Sequence, residues 1–391
     1  MFDGLKISST SRPRQGKAKS DTNLCIDTHD TISKSFDDDA SSDNEILFDS
    51  QQSPDMTTIS GSFQSPLTPF IVDSATFTHK PILLELENEI SSICARVQGS
   101  VPKSSLCIDE RLYSVKIGRL VGTGGDSRIF DCTLTGNVPN IPLPREPLVI
   151  KIPLNKYGCR YIEREAQVLS KLNGDTRFLH SYGLYNLSSK EYPRCPKDTQ
   201  FPSLVLPKMD TDLENFINSL DADEHVEGVF IGKDRWWSLA TCLFQGLLSM
   251  ELSGIVHCDL KTSNILMKGE SFSIADFSSA RFYYSSPVDK EQRGTLTFTA
   301  PELLKLDAEP PSFHTDLFSA GLILLHAATG KEPYSGIHNN TQLMLLAKTG
   351  AIWKLLDPES LSRLNEDSNI YKMLHMILVE RCQLHQLQSY F

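Results

Sequence analysis

His257-Cys258-Asp259-Leu260-Lys261-Thr262-Ser263-Asn264, followed by Ala275-Asp276-Phe277-Ser278, is the stretch on which the reading of this chain turns. It gathers carboxylates, a lysine and a carboxamide at short, fixed spacings. Moving a phosphoryl group asks little covalent chemistry of a protein: a base must orient a hydroxyl, and positive charge must sit against phosphate. Asp259 can accept a hydroxyl proton and Lys261 can lie against the transferring group, while Asn264 and Asp276 can hold two Mg²⁺ ions. Either string alone is weak, because a His-x-Asp in a loop is more often a turn with satisfied hydrogen bonds.

The order of other strings along the chain strengthens the reading. Upstream, Leu120-Val121-Gly122-Thr123-Gly124-Gly125-Asp126-Ser127-Arg128-Ile129-Phe130 reads as strand, glycine turn, strand. Such a turn frees backbone N–H groups to cover phosphates closely, since Gly122 and Gly124 carry no Cβ. Leu148-Val149-Ile150-Lys151-Ile152 is an apolar strand interrupted by one lysine. A charge buried in a strand needs a partner. Glu165 is the expected one, on the amphipathic run from Tyr161 to Leu172, with Glu163 as the competing choice. Downstream come Gly294-Thr295-Leu296-Thr297-Phe298-Thr299-Ala300-Pro301-Glu302 and the apolar helix opened by Thr315-Asp316-Leu317-Phe318.

Taken together, these strings resemble eukaryotic protein kinases, whose usual motifs are H-R-D-L-x-x-x-N and D-F-G. That resemblance implies an α+β, bilobal fold: a small lobe of mainly antiparallel sheet plus one helix, and a mainly helical large lobe. It implies ATP and Mg²⁺ as cofactors, protein substrates, and Asp259, Lys261, Lys151 and Glu165 as catalytic residues. Val121, Gly122, Thr123, Gly124, Gly125, Ser127 and Ile129 would cover the nucleotide, with Val149 and Leu266 about the adenine. Leu206 falls at the gatekeeper position, Pro207 to Met209 form the hinge, and Asp212 is the expected ribose or substrate contact. Pro207 keeps the C=O that adenine uses, and Met209 supplies the N–H. Asp316 would brace the catalytic loop, and Arg381 would pair with Glu302. Lys261 and Thr295 follow the Ser/Thr rather than the Tyr pattern.

Three letters depart from the family's usual motifs. Cys258 stands where an arginine usually reads an activation-loop phosphate, so activation by loop phosphorylation is not expected. Ser278 replaces the glycine that gives the metal loop its freedom, and Ser127 stands where a third loop glycine is commonest. Both serines favour the alternative of a catalytically weak pseudokinase scaffold. A small-molecule kinase is the other rival, but that type lacks the Ala300-Pro301-Glu302 segment. More narrowly, Leu204 to Lys208, Asp234 to Trp237, Ile274 to Ala280 and Ile377 to Arg381 are similar to the fungal inhibition-of-staurosporine-resistance kinases. That group implies a regulatory kinase linked to protein kinase C signalling, cell-wall integrity and restraint of amino-sugar synthesis.

The 391 residues divide by composition. Residues 1–79 are rich in Ser, Thr and Asp without lasting periodicity and cannot offset their ordering entropy, so a disordered regulatory tail is expected. Ser53-Pro54, Ser65-Pro66 and Thr68-Pro69 make it a target for a proline-directed kinase, and the resulting charge for a ubiquitin ligase. Residues 80–107 are read as an amphipathic helix and linker, 108–206 as the small lobe, and 207–391 as hinge and large lobe. A net charge of −11 argues against nucleic-acid binding. No apolar run approaches the ~20 residues of a membrane span. The nine cysteines lack a C-x-x-C pair, which suits a reducing compartment. A cytoplasmic location is expected, with the nucleus also open to the protein.

Overall fold

Leu148–Pro153 is buried at every position, and the two-residue period of a strand sorts its side chains to opposite faces. Val149 joins one apolar core, whereas Leu148, Ile150 and Ile152 join another. Lys151 therefore points to the same side as Val149. This strand, β3, lies in the middle of an antiparallel sheet ordered β1-β2-β3-β5-β4. The others are β1 (Tyr113–Thr123), β2 (Ser127–Gly136), β4 (Gly183–Leu187) and β5 (Phe201–Pro207). The structure, a computed structural model, describes residues 106–192, 201–220, 228–284 and 295–391. The expected tail, and the expected amphipathic helix as far as residue 105, lie outside the described residues.

Helix α1 (Lys156–Lys171) covers the Lys151 side of the sheet. Asn155 caps it by accepting the Gly158 N–H at 2.9 Å, which satisfies one of the helix's free donors. Its buried stripe of Ile162, Glu165, Ala166 and Leu169 has helical spacing. Glu165 is the one charged side chain in that apolar stripe.

Beyond β5 the chain turns largely helical. β6 (Thr211–Asp212) pairs with β8 (Ile265–Lys268), which pairs with β9 (Ser271–Ile274). Two short strands, β7 (Ile255–Val256) and β10 (Arg281–Phe282), pair with each other. Around them pack α2 (Leu213–Ser219), α3 (Lys233–Leu252), α4 (Phe313–Thr329), α5 (Asn340–Thr349), α6 (Pro358–Asn365) and α7 (Ser368–Leu378).

Helix α4 organises this part. Every residue from Thr315 to Thr329 is buried, as expected of a helix apolar on all sides. A capping box between Ser312 and Thr315 starts it, and Gly330 at φ +75° ends it. Trp236 of α3 is fully buried and donates its indole N–H to Leu324 O at 2.9 Å, so it anchors the core and lines no ligand cage. The opening turn of α4 places Asp316 beneath the loop between β7 and β8. Among the described residues, no helix is long and apolar enough to cross a membrane.

Candidate active site

The loop between β7 and β8 is held from below by one carboxylate. Asp316 accepts the His257 N–H at 2.6 Å and the Cys258 N–H at 3.0 Å. Cys258 sits in the left-handed region at φ +69°, a conformation that costs on the order of 1 kcal/mol and persists only where neighbours enforce it. Asp316 is the enforcing neighbour. Burial pushes its carboxyl up to about 7, against the pull of the two N–H donors.

His257 is completely buried, and burial lowers its pKa. Its Nδ1 accepts the Asp259 N–H at 3.3 Å, and its Nε2 lies 3.0 Å from Ala275 O. The neutral ring with its proton on Nε2 satisfies both contacts. Asp259 is thereby fixed in orientation. Its Oδ2 accepts from Lys261 Nζ at 3.0 Å, and its Oδ1 accepts the Thr295 N–H at 3.2 Å. Lys261 also donates to Thr295 Oγ1 at 3.0 Å. Asn264 Nδ2 donates to Asp259 O at 2.8 Å, leaving its Oδ1 as the atom a cation would take.

On the small-lobe side, Lys151 Nζ lies 2.7 Å from Glu165 and 2.8 Å from Asp276. Glu165 is thus the partner, and Glu163, two residues away, takes no part in this triad. Burial alone would lower the Lys151 pKa, but Glu165 and Asp276 outweigh it and leave it above its ordinary value. Burial likewise opposes ionisation of Asp276, yet the Lys151 charge and hydrogen bond, helped by the Ser278 hydroxyl, hold its pKa well below the usual range. Asp276 is ionised and still 37% exposed, so it can reach a ligand. Phe277 anchors the loop at 0% exposure, with its ring 4.7 Å from His257 and 5.9 Å from Phe178.

Asp276 and Ser278 correct one expectation. Asp276 itself takes the left-handed conformation, at φ +61°, whereas Ser278 does not and sits in an ordinary short turn. No glycine-type conformation is needed at Ser278. The hydroxyl helps hold the metal-loop carboxylate, so this substitution gives no support to the scaffold reading. Ser127 is similarly ordinary: it is buried, starts β2 and accepts the Gly124 N–H at 2.9 Å through its carbonyl.

The β1–β2 turn places Gly122 opposite Ile129 and Thr123 opposite Arg128, with Val121 exposed. None of Gly122, Gly124 or Gly125 has a positive φ. A Cβ at any of them would meet nothing nearer than 3.7 Å. Neither backbone nor neighbours require glycine, so the missing Cβ atoms fit a cradle for something close above them. Val149 and Leu206 face each other across β3 and β5. After Pro207, the Lys208 N–H turns to Pro147 O and the Asp210 N–H to Met267 O, with Met209 between them. Leu266 lies opposite Asp212 across β8 and β6. Asp212 has a structural duty the sequence reading missed. It caps α2, accepting the Asn215 N–H at 2.8 Å and Asn215 Nδ2 at 2.6 Å.

Among the described residues, no group of three or more His, Cys, Asp or Glu side chains is placed to hold a metal. Mg²⁺ in phosphoryl-transfer sites takes one or two protein donors and completes its shell with phosphate and water. The Asn264 carboxamide and the ionised Asp276 are a donor set of that kind.

Arg381 pairs with Glu302, as expected, and lies 4.4 Å over the Phe318 ring. Two further arginines were not anticipated. Burial first, then the Asp316 charge, drives the Cys258 thiol well above its ordinary pKa, and Arg281 and Arg164 pull the other way. Both basic groups therefore act on Cys258 through their charge. Arg281 lies beside Val256 in the β10–β7 pair and donates to Pro311 O at 3.3 Å, while its buried Nε has no hydrogen-bond partner among the described residues. The signal available was positional: Arg164 directly precedes Glu165, and Arg281 closely follows the Asp276 motif. The loop tip with Ser285 and Ser286 lies outside the described residues.

Comparison with known proteins agrees with this geometry. A family model for the protein kinase domain matches residues 116–389. The chain is similar to serine/threonine-protein kinase ISR1 of Saccharomyces cerevisiae, 27% identical over 241 residues, which cover 57% of this chain and 53% of the yeast protein. The match thus spans about half the yeast protein's length. Serine/threonine-protein kinase ISR1 of Eremothecium gossypii is 26% identical over 263 residues, 64% of this chain and 70% of that protein. RAF proto-oncogene serine/threonine-protein kinase of Xenopus laevis is 32% identical over 135 residues, 32% of this chain and 21% of that protein.

Proposed function

The chain belongs to the protein kinase family, whose domain model matches residues 116–389, and on that premise we propose that it transfers the γ-phosphate of ATP to Ser or Thr hydroxyls of protein substrates. The observation that carries the proposal is Lys151 held between Glu165 and Asp276, with Phe277 seated in the core. This arrangement brings groups from the sheet, α1 and the metal loop to one point.

The residues then divide the work. Asp259, with both oxygens oriented by Lys261 and Thr295, receives the substrate hydroxyl's proton as its oxygen bonds to phosphorus and the bond to the ADP oxygen breaks. Lys261 lies beside it to offset charge on the transferring group, and Thr295 keeps that lysine in place. Lys151 holds the nucleotide phosphates, and the Gly122 to Gly125 turn covers them. Mg²⁺, when bound by Asn264 and Asp276, supplies charge neutralisation at the phosphates. Pro207 and Met209 offer a C=O and an N–H to the adenine.

The finer proposals rest on the similarity to the ISR1 kinases and on the tail sequence. They are a regulatory role in fungal cell-wall integrity, protein kinase C signalling or amino-sugar synthesis control, and a cytoplasmic location extending to the nucleus. An upstream proline-directed kinase and a ubiquitin ligase are the proposed partners of Ser53, Ser65 and Thr68. The central test is purified protein with radiolabelled ATP, Mg²⁺ and a generic protein substrate, beside Asp259→Asn. Label should enter Ser or Thr with the wild type and fall by on the order of 10² or more with the variant. Equal incorporation by the two overturns the proposal.

A further inference from the structure

The small lobe carries an apolar groove far from the catalytic loop. It has a volume of about 440 Å³ and is lined chiefly by Cys107, Ile108, Tyr113, Leu134, Leu143 and Tyr182. Clefts of ~300–1,000 Å³ are large enough to bury several side chains of a ligand. The walls are fixed in place: Tyr113 Oη donates to Pro142 O at 3.2 Å, and Tyr182 Oη donates to Glu146 at 2.7 Å. Leu143, on the β2–β3 connection, is nevertheless 45% exposed.

The chain reaches this groove by a built path. Residues 106–108 run parallel to the outer edge of β4, with the Ile108 N–H donating to Leu184 O at 2.7 Å and the Leu184 N–H to Leu106 O at 2.8 Å. Gly183 makes room for this: it sits at φ +115°, and a Cβ there would stand 2.7 Å from Leu106 O. The chain is thus pinned beside the groove at the point where residue 105 joins it.

We propose that the groove is the seat of the chain's own residues 82–97. Ile82, Leu83, Leu86, Ile90, Ile93, Cys94 and Val97 recur there at helical spacing, an apolar stripe in need of cover. The nine residue steps from Val97 to Leu106 extend at most ~30–32 Å. Val97 therefore stays within that radius of the pin. Tethering of this kind gives an effective concentration of ~mM, so the segment outcompetes a free partner even with a modest contact. Ile108, Tyr113 and Leu143 lose exposed apolar surface when it docks.

A glutamate-specific protease acting on the full-length chain tests this. Cleavage at Glu85, Glu87 and Glu89 should be at least ~10-fold slower than at Glu45 of the tail, because cutting requires the segment to open first. Leu143→Glu in the groove and Ile90→Asp in the segment should each abolish that protection. Unchanged circular dichroism shows that the variant is folded, and Ile90→Asp decides alone if Leu143→Glu is not. Cleavage in the wild type as fast as at Glu45 overturns the proposal. So does protection that survives Ile90→Asp, or protection that grows with protein concentration, which would seat a second copy in the groove.

Discussion

Replacing Glu165 by Gln keeps the shape of the side chain and removes one charge from the centre of the site. Lys151 would then hold only Asp276, at 2.8 Å. Removing one partner of a buried ion pair costs ~3–5 kcal/mol. Here the amide oxygen still accepts from Lys151 and Asp276 still balances its charge, which brings the expected loss to ~2–3 kcal/mol. At ~2–4 °C per kcal/mol for a domain of this size, the melting temperature should fall by ~4–12 °C. Catalysis should suffer separately. With Glu165 neutral, the ammonium is drawn toward Asp276 and away from the phosphates, and a loss of ~10² in kcat/KM corresponds to ~2.7 kcal/mol of transition-state stabilisation. Calorimetry and steady-state kinetics on Glu165→Gln should be run beside Glu163→Gln. Glu163 lies on the same helix outside the triad, and its change should stay within ~0.5 kcal/mol. If the two variants behave alike, whether both are damaged or both sound, the argument from the Lys151 triad is wrong.

Ser278→Ala removes a hydroxyl that helps hold Asp276. It should raise the Mg²⁺ needed for half-maximal rate by ~3–10-fold while the protein melts normally; a titration showing no change refutes that role. Cys258 has neither charge nor strong donors for a phosphate, so phosphatase treatment, or Ala at both Ser285 and Ser286, should leave the rate within about twofold. A drop of ~10-fold or more that Arg281→Ala abolishes would instead assign phosphate reading to Arg281. His326 is 3% exposed, and burial alone lowers its pKa to about 4. A lowered histidine pKa means the unfolded chain binds the proton first. Its contribution is therefore complete above the ordinary value of ~6.5 and is lost as pH falls toward 4, by up to ~3 kcal/mol. His326→Gln should flatten the decline in melting temperature over that window, and an unchanged acid limb would show that the ring is hydrated or paired.

How much of this could be read beforehand depends on where each constraint lives. Lys151 and Glu165 were legible because a charge in a buried strand demands a partner, and helical spacing offered only two candidates. Asp259, Lys261 and Asn264 were legible because one short loop, between β7 and β8, carries them at set intervals, and Asp276 because its motif follows closely, just after β9. Asp212 was half legible: its place at the start of α2 marked it, but its capping bonds to Asn215 compete with any contact to a ligand. Ser278 was read as a loss of the glycine's freedom, and the sequence could not show that the left-handed conformation of this loop falls on Asp276 instead. Arg164 and Arg281 were missed because the group their charge acts on is Cys258, a residue from which no charge partner is sought. β7 and β10 are two residues each, too short for any periodicity to show.

The two strained residues explain why the site depends on groups outside its own motifs. Cys258 and Asp276 both hold φ near +60 to +70°, and neither has glycine's indifference to that region. Each is stabilised by a buried charge brought from another element: Asp316 of α4 takes the Cys258 N–H, and Lys151 of β3 takes the Asp276 carboxylate. Asp316 rests in the fully buried α4, and Lys151 is set by the sheet and by Glu165 of α1. The catalytic loop thus takes its shape from the helical core, and the metal loop from the small lobe. A change that shifts α1 by the length of a side chain would break the Lys151 triad and release Asp276 to relax, while leaving Asp259, Lys261 and Thr295 in place on Asp316. The two halves of the site therefore rest on different supports: α4 through Asp316, and α1 through Glu165 and Lys151.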